Sequence, residues 1–317
     1  MSIRDVANKS GTTVLAFVSR RAAGIWTNLP SLTYSLLNLL PPPNSAIWID
    51  FGLRYEMFNH FRIDAHTFSA NSTLLQLMAM KTEGKIITIK DIITYDQVVS
   101  STILHLSGKT ISQIQGDYVK EYINTVSCQT KIGHRIYMIP WYTPLVPETL
   151  LLNDVDLNLL DGVLSDILEQ LRPQFLFMTW EGQPEVRLFK PKLHEDVLLR
   201  WGLYKAHRII SLVRFDSEER FYDSVSVPAL LVEELPYLEK LRIVLTRATQ
   251  RPRSDVAAFN NVIGQLPFVA FVGQSVNAGR IPIIDMWCQK DRTKMSSGEV
   301  EYFDAIIRLA KNLLEDK

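Results

Sequence analysis

Thr13-Val14-Leu15-Ala16-Phe17-Val18 runs into Ser19-Arg20-Arg21-Ala22-Ala23-Gly24-Ile25-Trp26-Thr27, then into Asn28 to Leu40, and closes with Ala46-Ile47-Trp48-Ile49-Asp50. The first and last pieces are continuous apolar runs, the pattern of strands buried on both faces of a parallel sheet. Between them Leu29, Leu32, Leu36, Leu37 and Leu40 recur at helical spacing. Thr27 or Asn28 is the expected N-cap, with Pro30 in the first turn, and Pro41-Pro42-Pro43-Asn44 ends the helix. A helix between two apolar strands predicts a right-handed βαβ crossover. Asp50 then falls at the carboxyl end of a strand, where open α/β sheets bind ligands; its alternative is a cap or turn residue.

The pattern continues along the chain. Apolar runs near 135–139, 175–180, 209–213, 241–245 and 268–272 read as further strands. Helical periodicity marks about 74–80, 154–171, 195–207, 255–264 and 298–315, with a mixed stretch at 227–240. Residues 85–89 read as a short strand or as the lead into a helix at 90–106, and residues 1–12 as a polar lead-in. Strands alternating with helices predict an α/β fold with a mainly parallel central sheet and helices on both faces. No internal repeat or linker interrupts the chain. It is therefore expected to form a single domain over 1–317, with insertions around 105–150 and 181–207.

The 317 residues are 47% hydrophobic and 21% charged, enough to fill a sizeable core. Lys+Arg and Asp+Glu are both 34, so net charge gives no argument for nucleic acid. The two cysteines, Cys128 and Cys288, cannot form a disulfide framework. The six histidines (His60, His66, His105, His134, His194, His207) show no paired metal spacing, and no metal site is expected. The polar N-terminus and the lack of a long apolar run predict a soluble cytoplasmic protein without a transmembrane segment, and peripheral membrane contact stays open.

The order of these elements resembles the ParA/MinD group of partition and positioning ATPases, a branch of the P-loop NTPases with a deviant Walker A motif. The family pattern is a strand, K-G-G-x-G-K-T-T, a helix and a strand ending in aspartate. Arg20 to Thr27 occupies the place of that motif, and Asp50 the place of the aspartate. Pro173 to Thr179 is similar to the strand that ends in the Walker B aspartate. Ile243 to Arg247 is similar to the strand that ends in Asn-Arg or Asn-Lys near the base. Leu266 to Ile284 is similar to the closing segment of the family. A second branch, the RecA-type recombinases, resembles the stretch Ala46 to Asp50 with Arg54, Glu56 and Phe58. The closing segment fits ParA/MinD better.

The resemblance implies a nucleotide loop at Ser19, Arg20, Arg21, Ala22, Ala23, Gly24, Ile25, Trp26 and Thr27 whose ligands are replaced. Ile25 stands at the phosphate-gripping lysine and Trp26 at the magnesium-binding hydroxyl. Arg20 stands at the signature lysine, and Gly24 is the one glycine kept. Thr179 replaces the Walker B aspartate, and Thr246, followed by Arg247, replaces the base-reading asparagine. Sliding the register by one residue puts Thr27 at the magnesium position but Trp26 at the lysine. A P-loop works by aiming backbone N–H groups and a lysine at the phosphates while a hydroxyl and a carboxylate hold Mg²⁺. Losing one pre-aimed donor commonly costs about 10²–10³ in rate.

Hydrolysis is therefore not expected, and no catalytic residue is assigned. ATP or ADP is the ligand the resemblance implies, although no cofactor is required by the residues. A helix N-terminus still favours an anion, and Arg20 or Arg21 supplies charge; the alternative is two solvated loop arginines. Glu181 is a candidate substitute for the lost acid, or an ordinary residue of a strand-end turn. The resemblance implies a binding or scaffolding role with a protein partner, an active paralogue or a second copy of the chain. An active ATPase with non-standard ligands and a RecA-like DNA-binding accessory protein are the alternatives. DNA rests on the basic clusters Arg247, Arg251 and Arg253, and Lys290, Arg292 and Lys294, which also read as mixed surface. The C-terminal helix ends Glu315-Asp316-Lys317 without a basic face, so packing on the sheet is expected rather than membrane contact.

Overall fold

A computed structural model describes residues 2–20, 24–41, 44–52, 73–94, 134–142, 155–182, 194–214, 218–233, 239–246, 268–272 and 296–315. The strands are β1 (Thr13–Arg20), β2 (Ser45–Asp50), β3 (Ile93–Thr94), β4 (Arg135–Pro140), β5 (Phe175–Gly182), β6 (Arg208–Arg214), β7 (Leu241–Thr246) and β8 (Phe268–Val272). The helices are α1 (Ile3–Ser10), α2 (Ile25–Asn38), α3 (Leu74–Thr82), α4 (Leu157–Leu171), α5 (His194–Lys205), α6 (Glu218–Glu233) and α7 (Ser297–Glu315). Among the described residues the strands form one sheet in the order β3-β4-β2-β5-β1-β6-β7-β8. Every pairing is parallel except β3 with β4.

Alternation along β1 divides the interior in two. Val14, Ala16 and Val18 point into a core shared with α1, α3, α4, α5 and α6. Leu15 and Phe17 point into a second core shared with α2 and α7. The result is a three-layer α/β fold, as the alternation of strands and helices predicts. β1 lies between β5 and β6. From there the chain moves one way to β2 and β4 and the other way to β7 and β8. Ligand crevices in open α/β sheets form at such a switch point, beyond the carboxyl ends of the strands.

The seven predicted strands are all present, most of them longer by one or two residues. Four readings need correction. Residues 3–10 are a helix rather than a lead-in: Ser2 and Asp5 form a capping box, and Ile3, Val6 and Ala7 are buried. α2 starts at Ile25 with Gly24 as N-cap at φ 90°, so Pro30 sits in the second turn and cannot donate to the Trp26 carbonyl. The expected helix at 90–106 is instead a single 3₁₀ turn, Ile89–Asp91, and the short strand β3, as far as residue 94. α6 begins at Glu218, well before the mixed stretch at 227–240, and runs through Pro228. The expected helix at 255–264 and the segment 273–284 lie outside the described residues, as do residues 105–133.

Helix ends show why the sequence folds as it does. Asp156 caps α4 by accepting from the N–H groups of Asn158 (2.9 Å) and Leu159 (3.1 Å). Lys81 of α3 is tied to α4 through Asp166. Lys205 of α5 meets Asp161 of α4 at 2.6 Å, and Trp201 donates to the same carboxylate at 3.2 Å. Among the described residues no helix is long and apolar enough to cross a membrane.

Candidate functional site

The carboxyl ends of β1, β2 and β5 carry Ser19 and Arg20, Asp50, and Thr179 to Gly182. Strand register fixes which residues meet. Ser19 pairs with Glu181 and Arg20 with Gly182 across β1–β5. Asp50 pairs with Thr179 across β2–β5. Backbone bonds extend this floor past the strands: Phe51 N–H donates to the Thr179 carbonyl (3.0 Å), and Trp141 N–H to the Asp50 carbonyl (2.8 Å).

Asp50 is buried at 3% exposure, and Thr179 is fully buried. The Asp50 Oδ1 accepts from the Gly52 N–H at 2.9 Å and lies 3.3 Å from Thr179 Oγ1. The same hydroxyl lies 3.2 Å from the Ile49 carbonyl oxygen. Such satisfaction is what makes a buried carboxylate tolerable. An aromatic group packs on the other face of the sheet, in the core that holds Ile47 and Ile49. Phe51 stacks on Trp180 with centroids 4.8 Å apart and also meets Trp141 and Trp201.

The first two side chains of α2 enter the core rather than a ligand cradle. Ile25 is 0% and Trp26 2% exposed, and both belong to the core between the sheet and α7. Trp26 packs edge-on against Trp48 of β2 at 6.1 Å. The Trp48 indole donates to Thr33 Oγ1 at 3.0 Å, fixing β2 to α2. Gly24 adopts φ 90°, ψ 41°, the left-handed region in which a side chain is strained.

Arg20 turns toward α6. Its guanidinium lies 3.6 Å from Asp223 Oδ1 and 3.4 Å from Ser226 Oγ, while its Nε is buried with no hydrogen-bond partner among the described residues. Asp223 is 60% exposed, so the ion pair is solvent-screened and weak. Ser19 is buried, and its Oγ likewise has no partner among the described residues. Thr246 is buried at the end of β7, with Oγ1 3.5 Å from the Val213 carbonyl. Glu181 continues β5, but its side chain and that of Thr27 lie outside the described set. Arg21, Ala22, Ala23, Arg247, Arg251, Arg253, Lys290, Arg292 and Lys294 also lie outside it. Strand register thus sets the backbone of Ser19 beside Glu181 and Asp50 beside Thr179, while Ile25 and Trp26 enter the core and Arg20 turns toward α6.

Two residues that periodicity did not single out complete the start of α2. Tyr302 of α7 is fully buried and donates to Asn28 Oδ1 at 2.8 Å. The Asn28 Nδ2 donates to the Gly24 carbonyl at 2.7 Å. The one sequence signal was a tyrosine on the otherwise apolar face of the last helix.

No protein-family profile matches the sequence, and no curated protein matches it. Solved structures do. A ParA family ATPase from Chlorobium tepidum is similar at TM-score 0.54 and 14% identity, covering 96% of this chain and 99% of that one. MinD in the MinC:MinD cell division complex of Aquifex aeolicus is similar at TM-score 0.55 and 10% identity, over 96% and 97%. A plasmid partition protein of Borrelia burgdorferi bound to AMPPNP is similar at TM-score 0.51 and 11% identity, over 96% and 99%. At such identities the likeness speaks for architecture: this chain has the three-layer α/β fold of the ParA and MinD ATPases.

Proposed function

We propose that this chain is a ParA/MinD-like protein that keeps the family fold and has lost its hydrolytic chemistry. It acts as a binding or scaffolding partner in partition, positioning or assembly, paired with an active paralogue or with a second copy of itself. The observation that carries this reading is the burial of Ile25 and Trp26. At the positions that resemble those of the phosphate-gripping lysine and the magnesium-binding hydroxyl, both side chains are core residues beneath α7. Neither is a donor to phosphate or a ligand for Mg²⁺.

The Walker B position supports the same reading. Thr179 supplies a hydroxyl engaged with Ile49 and Asp50, and a neutral hydroxyl does not replace a carboxylate in holding an Mg²⁺-bound water. A helix N-terminus remains at Ile25, so an anion such as ATP or ADP can still be held without being hydrolysed. The likeness to MinD in its complex with MinC supports a protein partner. In this reading residues 1–317 form one domain and the protein works in the cytoplasm.

Phosphate release from ATP in the presence of Mg²⁺ tests this. The purified chain is expected to show no turnover above background. Turnover that disappears in Arg20→Ala or Asp50→Asn would overturn the reading in favour of an active ATPase with non-standard ligands.

A further inference from the structure

We infer that Tyr302 is a positioning residue for the opening of α2: through Asn28, the C-terminal helix α7 holds the Gly24 carbonyl in place. Tyr302, 274 positions away in sequence, joins Asn28 and Gly24 in one buried relay. The Tyr302 hydroxyl donates to Asn28 Oδ1 (2.8 Å), and Asn28 Nδ2 donates to the Gly24 carbonyl (2.7 Å). Ser31 Oγ lies 3.5 Å from the same phenol oxygen. The Asn28 backbone N–H also donates to the Gly24 carbonyl, at 3.1 Å. One residue thus grips Gly24 with both its main chain and its side chain.

The chemistry fixes the direction of the relay. With the Asn28 amide reversed, its oxygen would face the Gly24 carbonyl oxygen, two acceptors with no proton between them. Tyr302 is fully buried, and burial pushes its phenol well above the ordinary range, so it stays a donor at any physiological pH. Gly24 is the point that needs holding. It is the N-cap of α2, it is left-handed, and it makes no side-chain cap hydrogen bond of its own. A capping serine or aspartate would accept from the free N–H groups of the first turn; the relay from the last helix instead adds a second donor to the Gly24 carbonyl, which already accepts the first intrahelical bond. A displacement of α7 therefore releases the geometry of Gly24 and of the first turn of α2, whether or not nucleotide binds there.

Amide hydrogen exchange on the whole chain tests this. Tyr302→Phe keeps the ring in the core and removes only the donor. The Asn28 amide, bonded to the Gly24 carbonyl, is expected to exchange roughly five- to tenfold faster, the effect of one lost net hydrogen bond. The Leu39 amide, bonded to Ser35 at the far end of α2, is expected to be unchanged. Adding Tyr302→Phe to Asn28→Ala is expected to change nothing further at the Leu29 amide, because the tyrosine acts through Asn28. Equal acceleration at the Asn28 and Leu39 amides would reduce Tyr302 to a general packing residue and overturn the inference. So would an unchanged Asn28 amide. If Asn28→Ala fails to fold, the ratio of the two amides in Tyr302→Phe alone decides.

Discussion

Thr179 Oγ1 lies 3.3 Å from Asp50 Oδ1, across the β2–β5 pair and at the carboxyl ends of both strands. This contact joins two of the strand-end candidates read from the sequence. Thr179→Val keeps the shape and removes the hydroxyl. It is expected to cost about 1–2 kcal/mol, the usual cost of taking one partner from a buried polar group. Urea denaturation of the two proteins measures it. A variant as stable as the parent would mean that the hydroxyl contributes nothing to holding Asp50.

Ile25 and Trp26 lie in the core, so restoring motif residues there attacks the fold. The double change Ile25→Lys and Trp26→Thr places a charge and a much smaller side chain in a buried site. Large-to-small changes at buried aromatics alone cost about 3–5 kcal/mol. The variant is expected to unfold at markedly lower urea and to gain no ATP turnover. A stable, hydrolysing variant would show that the two positions can face the crevice.

Gly202 of α5 has no room for a side chain. A Cβ there would run into the indole of Trp180, whose ring stacks on Phe51. Gly202→Ala is expected to displace the indole and cost about 1–3 kcal/mol, as overpacking does. Thermal unfolding and tryptophan emission read it together. A variant with unchanged melting temperature and emission would contradict the packing described for this cluster.

His207 binds α1 to the sheet at the amino ends of the central strands β1 and β6. Its Nδ1 accepts from the Val14 N–H at 2.8 Å, so the neutral ring carries its proton on Nε2 and donates to Asn8 Oδ1 at 2.8 Å. Burial lowers its pKa first, and Arg4, Lys240 and Arg208 lower it further. Burial also lowers the pKa of His134. The unfolded chain therefore takes up protons on these rings at a higher pH than the folded one. Their contribution to stability is full above the ordinary histidine value of about 6.5 and declines as pH falls below it. Urea midpoints at pH 7.5 and 5.5 should show this loss, and His207→Asn should shrink it. An undiminished loss in that variant would place the titrating group elsewhere.

The sheet was largely legible because buried parallel strands are continuous apolar runs, as at Phe175 to Trp180 and Ile209 to Val213. α1 was not, because it is only eight residues long and mostly polar; Ile3, Val6 and Ala7 at helical spacing and the Ser2–Asp5 capping box were the signals it carried. α6 was obscured by Pro228 and by the β-branched Val225 and Val227. The start of α2 was placed three residues late, since Thr27 and Asn28 look like better caps than Gly24. The series Ile25, Leu29, Leu32 and Leu36 held the correct start, and with it the burial of Ile25. The contact of Asn28 with Tyr302 spans 274 positions. No local pattern encodes a bond of that range.

The most direct test of lost phosphate chemistry is a calorimetric titration of the protein with ATP, run with and without Mg²⁺. If Trp26 and Thr179 stand at the positions the resemblance assigns to the metal, the two isotherms are expected to coincide within about twofold, or neither to show binding. Binding tightened tenfold or more by Mg²⁺, and weakened again in Asp50→Asn, would contradict it.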